Sequence, residues 1–242
     1  MIAKVHSIET FSGVDGPGLR YVLFLQGCNM QCQFCHNADA IPQQGGMVMT
    51  VEEIVEDYHH YQNFYRNGGG ITLSGGEPLM QAGFVLELFR LLKKEGVHTC
   101  IETQGSLFRK TPLMEEIVSL TDLFIVDLKG SDEEKALQMS RCGIQKTLEF
   151  LAYLNEQQKK FIITYVLLPT MNDREQDASQ LATILSQYDA THMTFKVLPY
   201  HRFGTQKWDV VGVPYTLHHI EEPTPLAVHT FLSKIRTYLL KH

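Results

Sequence analysis

Three cysteines fall within eight residues near the start of the chain. Cys28, Cys32 and Cys35 stand in the run GCNMQCQFCHN, with a C-x3-C-x2-C spacing. Thiolates hold iron–sulfur clusters, and three thiolates on a cube of four irons leave one iron open. An open iron can bind a small molecule as well as pass an electron. The spacing therefore predicts chemistry at a cluster rather than simple electron carriage.

Zinc is the alternative partner for clustered cysteines in an intracellular protein. Structural zinc takes four protein ligands, and the sequence lacks the second C-x2-C pair that would complete such a site. His36 directly follows Cys35 and could serve as a fourth ligand only with strained geometry. Cys100 and Cys142 have no ligand spacing, so we expect both to be ordinary small apolar residues.

Composition and charge narrow the range of partners. The chain has 242 residues, of which 44% are apolar, so it can build a sizeable core within one α/β domain. Its net charge of −6 disfavours general binding to nucleic acid or to a membrane, because both attract basic patches. The sequence shows no apolar stretch of about 18 residues and no export signal. We therefore expect a cytoplasmic protein, and the cysteines fit a reducing compartment better than a disulfide framework.

Apolar strand-like runs alternate with helix-like segments, which predicts a parallel sheet with right-handed crossovers. A capping box formed by Thr50 and Glu53 starts the first helix. The stretch 201–224 has few regular signals, and we expect a surface loop there. The predicted strands are 21–27, 71–76, 98–105, 123–130, 161–169 and 192–200, and the further helices are 82–95, 175–188 and 225–240.

Polar or ionisable residues come near the ends of five of these six strands. In parallel α/β folds, catalytic groups gather at the carboxyl ends of the strands. We therefore expect one edge of the sheet to carry the functional site. The residues concerned are Cys28, Gly75, Gly76, Glu77, Glu102, Asp127, Lys129 and His201.

The cysteine spacing, with the aromatic Phe34 before the last cysteine, closely resembles the signature of the radical S-adenosylmethionine superfamily. The resemblance implies a partial (β/α)6 barrel with a parallel sheet, as a single domain over residues 1–242. It implies a [4Fe–4S] cluster on Cys28, Cys32 and Cys35, which become both metal ligands and catalytic residues. The second implied cofactor is S-adenosyl-L-methionine.

The resemblance also assigns the glycines after the second strand. Gly75, Gly76 and Glu77 match the superfamily's GGE element, which binds the methionine amino group of the cofactor. From the residues alone, a Gly-Gly pair before Glu-Pro is more often a turn. Glu77 can also cap the helix that follows, and the sequence does not separate the two roles.

Aromatic and imidazole groups extend the implied cofactor site. The run LPYH, which ends at His201, matches a cofactor contact of the superfamily. Phe34 and His36, on either side of Cys35, match positions that flank the adenine. Most of the eleven histidines have no such context, and we expect them at the surface.

Two carboxylates on the third and fourth strands need a compensating positive charge. From the residues alone, a solvated strand edge with an Asp–Lys pair explains them as well. The resemblance instead implies a monovalent cation between them, and Glu102 stands where the family commonly has an aspartate. The implied cation site is formed by Glu102, Thr103, Ile125 and Asp127, and the implied cofactor contacts of the fourth strand are Asp127, Leu128 and Lys129.

Within the superfamily, the chain most resembles the activating enzymes of pyruvate formate-lyase. The matching blocks are FSGVDGPGLRYVLFLQGC, GGGITLSGGEPLMQ, KKEGVHTCIETQG, TDLFIVDLK and LPYH, in order and spacing. The resemblance implies that flavodoxin or ferredoxin reduces the cluster, and that reductive cleavage of the cofactor gives a 5′-deoxyadenosyl radical. This radical abstracts a hydrogen atom from a backbone glycine of the partner, pyruvate formate-lyase. We expect no nucleic-acid or membrane partner.

Three alternatives stay open. The chain could activate a different glycyl-radical enzyme, although many such activases insert a ferredoxin module where this chain has about 40 residues without cysteine. It could act on a small molecule, or it could be an iron–sulfur electron carrier. Thr164 also departs from the family, which typically has an arginine in the fifth strand.

Overall fold

The computed structural model describes residues 1–240, which divide into two compact units. Unit 1 comprises Met1–Asn29 and Ala40–Ile125. Unit 2 comprises Met30–Asp39 and the chain from Val126 onwards. The single domain over residues 1–242 stays a prediction, and residues 241 and 242 lie outside the described part of the chain.

Strands and helices alternate, as the apolar runs predicted. The strands are β1 (Ile2–Ser12), β2 (Arg20–Leu25), β3 (Met47–Thr50), β4 (Gly70–Gly75), β5 (His98–Thr103), β6 (Leu123–Asp127), β7 (Lys160–Leu167) and β8 (Met193–Pro199). The helices are α1 (Val51–Tyr65), α2 (Ala82–Lys94), α3 (Pro112–Leu120), α4 (Glu133–Ser140), α5 (Gln145–Glu156), α6 (Glu175–Leu185), α7 (Gln206–Val210) and α8 (Pro225–Leu239). The six predicted strands are confirmed as β2 and β4 to β8.

In unit 1, hydrogen-bonded neighbours run in the order β3-β1-β2-β4-β5-β6. β2, β4 and β5 are parallel, with Leu25 opposite Gly75 and Leu73 opposite Ile101. β1 pairs antiparallel with both β2 and β3. Neither β1 nor β3 was predicted from the sequence. The parallel pairing brings the carboxyl ends of β2 and β4 side by side.

In unit 2, the last residues of β6 neighbour β7, which pairs in parallel with β8 from Phe161–Met193 to Leu167–Pro199. The neighbour order therefore ends at β3 on one side and at β8 on the other. Most of the strand pairs within the two units are parallel, and strands alternate with helices, which confirms the predicted α/β fold class. No helix within residues 1–240 is both long enough and apolar enough to cross a membrane.

The start of α1 follows the predicted capping box. The Thr50 hydroxyl accepts a hydrogen bond from the Glu53 N–H at 3.1 Å, and the Glu53 carboxylate accepts one from the Thr50 N–H at 2.7 Å. These bonds satisfy backbone donors that a helix start leaves unpaired. Ile54 and Tyr58 on the same helix are buried, so its apolar spacing also marks the face that packs on the core.

The stretch 201–224 is not simply a surface loop. It contains α7, and it buries Trp208, Tyr215, Leu217 and Ile220. These side chains follow neither a helical nor a strand period, so no pattern in the sequence revealed their burial. The surface-loop prediction is therefore wrong in this part.

Candidate functional site

The three predicted cluster ligands lie on the segment that follows β2. The N–H of Cys28, in unit 1, donates to the Ile41 carbonyl at 3.0 Å. In unit 2, the N–H of Cys35 donates to the Cys32 carbonyl at 3.1 Å. Cys32 is buried, Cys28 and Cys35 are partly buried, and none of the three forms a disulfide. Among the residues that the structure describes, no three His, Cys, Asp or Glu side chains are arranged to hold a metal ion.

The end of α4 holds the part of this segment that belongs to unit 2, residues 30–39, here called the cysteine loop. The Gln31 N–H donates to the Ser140 carbonyl at 3.0 Å, and the Gln33 N–H donates to the Met139 carbonyl at 2.9 Å. A helix leaves its last carbonyls without intrahelical partners. The loop amides supply those partners, so α4 fixes the backbone of the loop before its last cysteine.

Close backbone packing explains the two glycines after β4. Gly75 has a φ of +112°, and a Cβ there would lie 2.3 Å from the Leu25 nitrogen. A Cβ on Gly76 would lie 2.1 Å from the Gly27 carbonyl oxygen. Neither position can accept a larger residue without moving the ends of β2 and β4 apart. The glycines therefore have a structural role, and their contact with a cofactor stays a prediction.

Glu77 is fully buried, and its carboxylate accepts hydrogen bonds through both oxygens. Oε1 accepts from the Leu79 N–H at 2.9 Å and from the Thr103 hydroxyl at 2.7 Å. Oε2 accepts from the Gln104 N–H at 3.1 Å. Glu77 thus caps the short 3₁₀ turn that precedes α2 and ties β4 to the end of β5. The capping role is confirmed, and side-chain binding to a cofactor remains a prediction.

The unit-1 residues of the predicted cation site are also bonded within that unit. Glu102 is partly buried on β5 and accepts a hydrogen bond from the Ser74 hydroxyl. Thr103 uses its hydroxyl as a donor to Glu77 and as an acceptor from the Gly105 N–H at 3.0 Å. Ile125 is buried on β6. These contacts do not test the cation assignment.

Asp127, in unit 2, is held by two side chains at the end of β6. The Lys129 ammonium donates to its carboxylate at 2.9 Å, and the Thr164 hydroxyl donates to the other carboxylate oxygen. The Leu128 N–H donates to the Thr164 carbonyl at 2.9 Å. The Asp–Lys pair is therefore present but largely buried, unlike the solvated pair that residue types alone allowed.

Lys129 stays charged although it is buried. Burial alone would lower its pKa, but the negative charge of Asp127 and the sulfurs of Cys32 and Cys35 raise the pKa above its ordinary value. Its ammonium also lies 5.6 Å from the centre of the Phe34 ring, within cation–π range. Lys129 therefore offers a fixed positive charge beside the cysteine loop.

His36 and His201 lie against each other in unit 2. Their rings stack with centroids 3.8 Å apart, and the His36 Nε2 lies 2.9 Å from the His201 carbonyl oxygen. A carbonyl only accepts, so Nε2 carries the proton, while burial lowers the pKa of His36 and favours its neutral form. The His201 Nδ1 is buried and has no hydrogen-bond partner within residues 1–240. An unpaired buried nitrogen is costly, so this atom is suited to a ligand.

Two contacts to the predicted site involve residues that were not assigned to it from the sequence. Thr164 donates to Asp127, and the Trp208 Nε1 donates to the Cys35 carbonyl at 3.1 Å. The sequence drew attention to Thr164 only as a departure from the family, and nothing in the sequence analysis singled out Trp208.

Comparison with known proteins defines the class to which this chain belongs. The family model of the Radical SAM superfamily matches residues 22–182. The chain belongs to this superfamily.

Curated relatives narrow the class further. The pyruvate formate-lyase 1-activating enzyme of Escherichia coli is 38% identical over 224 residues, which cover 92% of this chain and 91% of the relative. The pyruvate formate-lyase-activating enzyme of Staphylococcus epidermidis is 37% identical over 230 residues, covering 93% and 91%. Within the superfamily, the chain belongs with the pyruvate formate-lyase-activating enzymes.

A solved structure of a domain of the pyruvate-formate lyase-activating enzyme from Bacteroides vulgatus supports the fold. It has a TM-score of 0.57 and 20% identity, and it covers 71% of this chain and 95% of that domain.

The residues of this chain fit the cofactors of the superfamily, a [4Fe–4S] cluster and S-adenosylmethionine. Three cysteine sulfurs at close spacing form a soft donor set that suits iron–sulfur clusters. Lys129 carries a fixed positive charge, which suits a carboxylate, and the buried His201 Nδ1 has no hydrogen-bond partner in the described part of the chain, which suits a polar ligand atom.

Proposed function

We propose that this chain activates pyruvate formate-lyase by generating a glycyl radical in it. The observation that carries the proposal is the likeness to curated relatives whose names state that they activate pyruvate formate-lyase, over almost their full length. Because about nine-tenths of each chain is matched, the likeness covers the whole enzyme rather than a shared domain.

The cysteines of the C-x3-C-x2-C spacing hold the cluster in this proposal. Cys28, Cys32 and Cys35 are its three ligands, and α4 keeps the loop backbone in place. When bound, the cluster and S-adenosylmethionine supply the reductive cleavage that gives methionine and a 5′-deoxyadenosyl radical, which removes a hydrogen atom from a backbone glycine of the partner. The chain's contribution is to orient the cofactor and to exclude competing reactions.

The unit-2 residues around the loop orient the cofactor. Lys129 binds its carboxylate, because its buried ammonium carries a fixed positive charge beside the cysteine loop. The His201 Nδ1 bonds a hydroxyl or carboxylate of the cofactor, which satisfies an otherwise unpaired atom. Phe34 and His36 provide flat surfaces for the adenine.

In unit 1, Gly75 and Gly76 offer backbone groups to the methionyl amine of the cofactor.

The monovalent cation is part of this proposal as well. Glu102 and Asp127 supply carboxylate oxygens, with Thr103 and the Ile125 carbonyl completing the ligand set. The Thr103 hydroxyl already donates its proton to Glu77, so its oxygen binds the cation through a lone pair while that hydrogen bond is kept. Hard oxygen donors favour an alkali cation over a transition metal.

The reductant and the location follow from the same family relationship. We propose flavodoxin or ferredoxin as the electron donor and the cytoplasm as the compartment. A closely spaced set of cysteines that forms no disulfide supports a reducing compartment.

The test combines the chain, S-adenosylmethionine, a reductant and pyruvate formate-lyase from the same organism under anaerobic conditions. We expect a glycyl doublet by electron paramagnetic resonance, in step with the formation of 5′-deoxyadenosine. Formation of 5′-deoxyadenosine without a glycyl signal would retain the radical chemistry and refute this partner. No 5′-deoxyadenosine would refute the activity altogether and favour an electron carrier.

A further inference from the structure

A short segment of unit 2, Gly204–Trp208, lies against the last part of the cysteine loop; we call it the strap. Gly204 allows close approach, because a Cβ there would lie 2.5 Å from the His36 carbonyl oxygen. Trp208 is 6% exposed, and its Nε1 donates to the Cys35 carbonyl at 3.1 Å. The strap therefore bonds the backbone of the last cysteine directly.

A second strap residue reaches the loop just beyond that cysteine. The Lys207 ammonium donates to the Asn37 side-chain oxygen at 2.8 Å and lies 3.4 Å from an Asp39 carboxylate oxygen. Asn37 lies two residues beyond Cys35 on the cysteine loop. Lys207 thus holds the loop just after the predicted ligand.

These contacts tie the strap to the backbone of one predicted ligand and to a residue just after it. Trp208 bonds the carbonyl of Cys35, and Lys207 bonds the side chain of Asn37 two residues further on. The α4 contacts fix the loop on the other side of the same cysteine, at Gln33. Groups that orient a metal ligand affect both its affinity and the properties of the metal.

We propose that Lys207 and Trp208 are positioning residues for the cluster, and that the strap keeps Cys35 in place and raises the cluster's reduction potential. This inference rests on the proposed cluster site. The potential rises because the positive charge of Lys207, held beside Asn37 and Asp39 of the cysteine loop, favours the more negatively charged, reduced state of the cluster. Trp208 carries no charge, so its contribution is to retention of the cluster.

The experiment uses the full chain with its cluster reconstituted anaerobically. Lys207→Met should give a more negative midpoint potential in a redox titration followed by electron paramagnetic resonance. Lys207→Arg keeps the charge and should restore most of the difference. The matched control is Lys146→Met, which removes an exposed lysine paired with Glu149 on α5 and should leave the potential unchanged.

Cluster retention gives a second measurement. In the presence of an iron chelator, Lys207→Met and Trp208→Phe should each lose the cluster about tenfold faster than the wild type, the usual cost of removing a group that orients a ligand. Trp208→Phe keeps an aromatic ring for the contact with Tyr215, whose centroid lies 5.8 Å away, so folding should be preserved. Its potential should stay close to that of the wild type.

A third measurement needs no cluster. Cys35 is partly buried and its carbonyl is bonded by the strap, so alkylation of this residue in the cluster-free protein should be slow. Alkylation mapped by mass spectrometry should be several-fold faster in Trp208→Phe, because the strap then holds the loop less tightly.

Two outcomes would overturn the inference. Wild-type potential and chelator resistance in both strap variants would mean that the strap only fills space. Equal potential shifts in Lys207→Met, Lys207→Arg and Lys146→Met would mean that the effect is not local. Failure of the wild type to bind iron at all is a separate result, which would overturn the proposed site itself.

Discussion

Replacing Glu77 by glutamine separates a structural role from a cofactor contact. The buried carboxylate accepts three hydrogen bonds, from Leu79, Thr103 and Gln104. A glutamine can keep its oxygen toward the first two donors, but its NH2 group then faces the Gln104 N–H. One bond is lost, and a buried donor is left unpaired. The expected cost is about 2 kcal/mol, within the range of about 1–3 kcal/mol for such a group.

The assay is thermal unfolding of the cluster-free protein without cofactor. For a chain of this size, about 2 kcal/mol corresponds to a decrease in Tm of roughly 4–8 °C. The control is Glu56→Gln, at an exposed position on α1, which should change stability by less than about 0.5 kcal/mol. An unchanged Tm in Glu77→Gln, together with a loss of cofactor affinity, would refute the capping argument and favour direct binding.

Three further predictions follow from the geometry. Lys129→Ala and His201→Ala should each weaken S-adenosylmethionine binding by about tenfold, because each removes a polar contact worth on the order of 1–3 kcal/mol. The absorbance of the cluster should not change. Unaltered cofactor affinity, measured by calorimetry, would place both side chains outside the site. Potassium or sodium should increase activity through Glu102 and Asp127, and equal rates in cation-depleted buffer would contradict the cation proposal. Gln158→Gly should stabilise the protein by roughly 0.5–1 kcal/mol in urea unfolding, because Gln158 has a φ of +53° just after α5, and a lower midpoint would contradict this.

Local signals in the sequence predicted most of the fold. The capping box at Thr50 and the apolar runs identified α1 and six strands, because both signals arise within a few neighbouring residues. β3 was missed because it is only four residues long and has no buried side chain. β1 was missed although Ala3 and Val5 are buried, because the second half of the strand mixes polar and apolar residues without a regular alternation.

The site was predicted less completely than the fold. The cysteine spacing and the strand ends identified residues individually, but the sequence did not show which groups each residue contacts. Thr164 lies 37 residues from Asp127, and Trp208 lies 173 residues from the carbonyl it bonds. Such pairs depend on how strands and loops are brought together, and no local pattern encodes them. The bonds of Glu77 to β5 could not be predicted for the same reason.

The most direct measurement of the central claim follows the abstracted hydrogen atom. Pyruvate formate-lyase carrying deuterated glycine is mixed anaerobically with the reduced chain and unlabelled S-adenosylmethionine, and the 5′-deoxyadenosine is analysed by mass spectrometry. We expect one deuterium per 5′-deoxyadenosine, together with a glycyl radical signal that has lost its doublet splitting. Unlabelled 5′-deoxyadenosine, or a label that arrives without a glycyl radical, would contradict hydrogen abstraction from a backbone glycine of this partner.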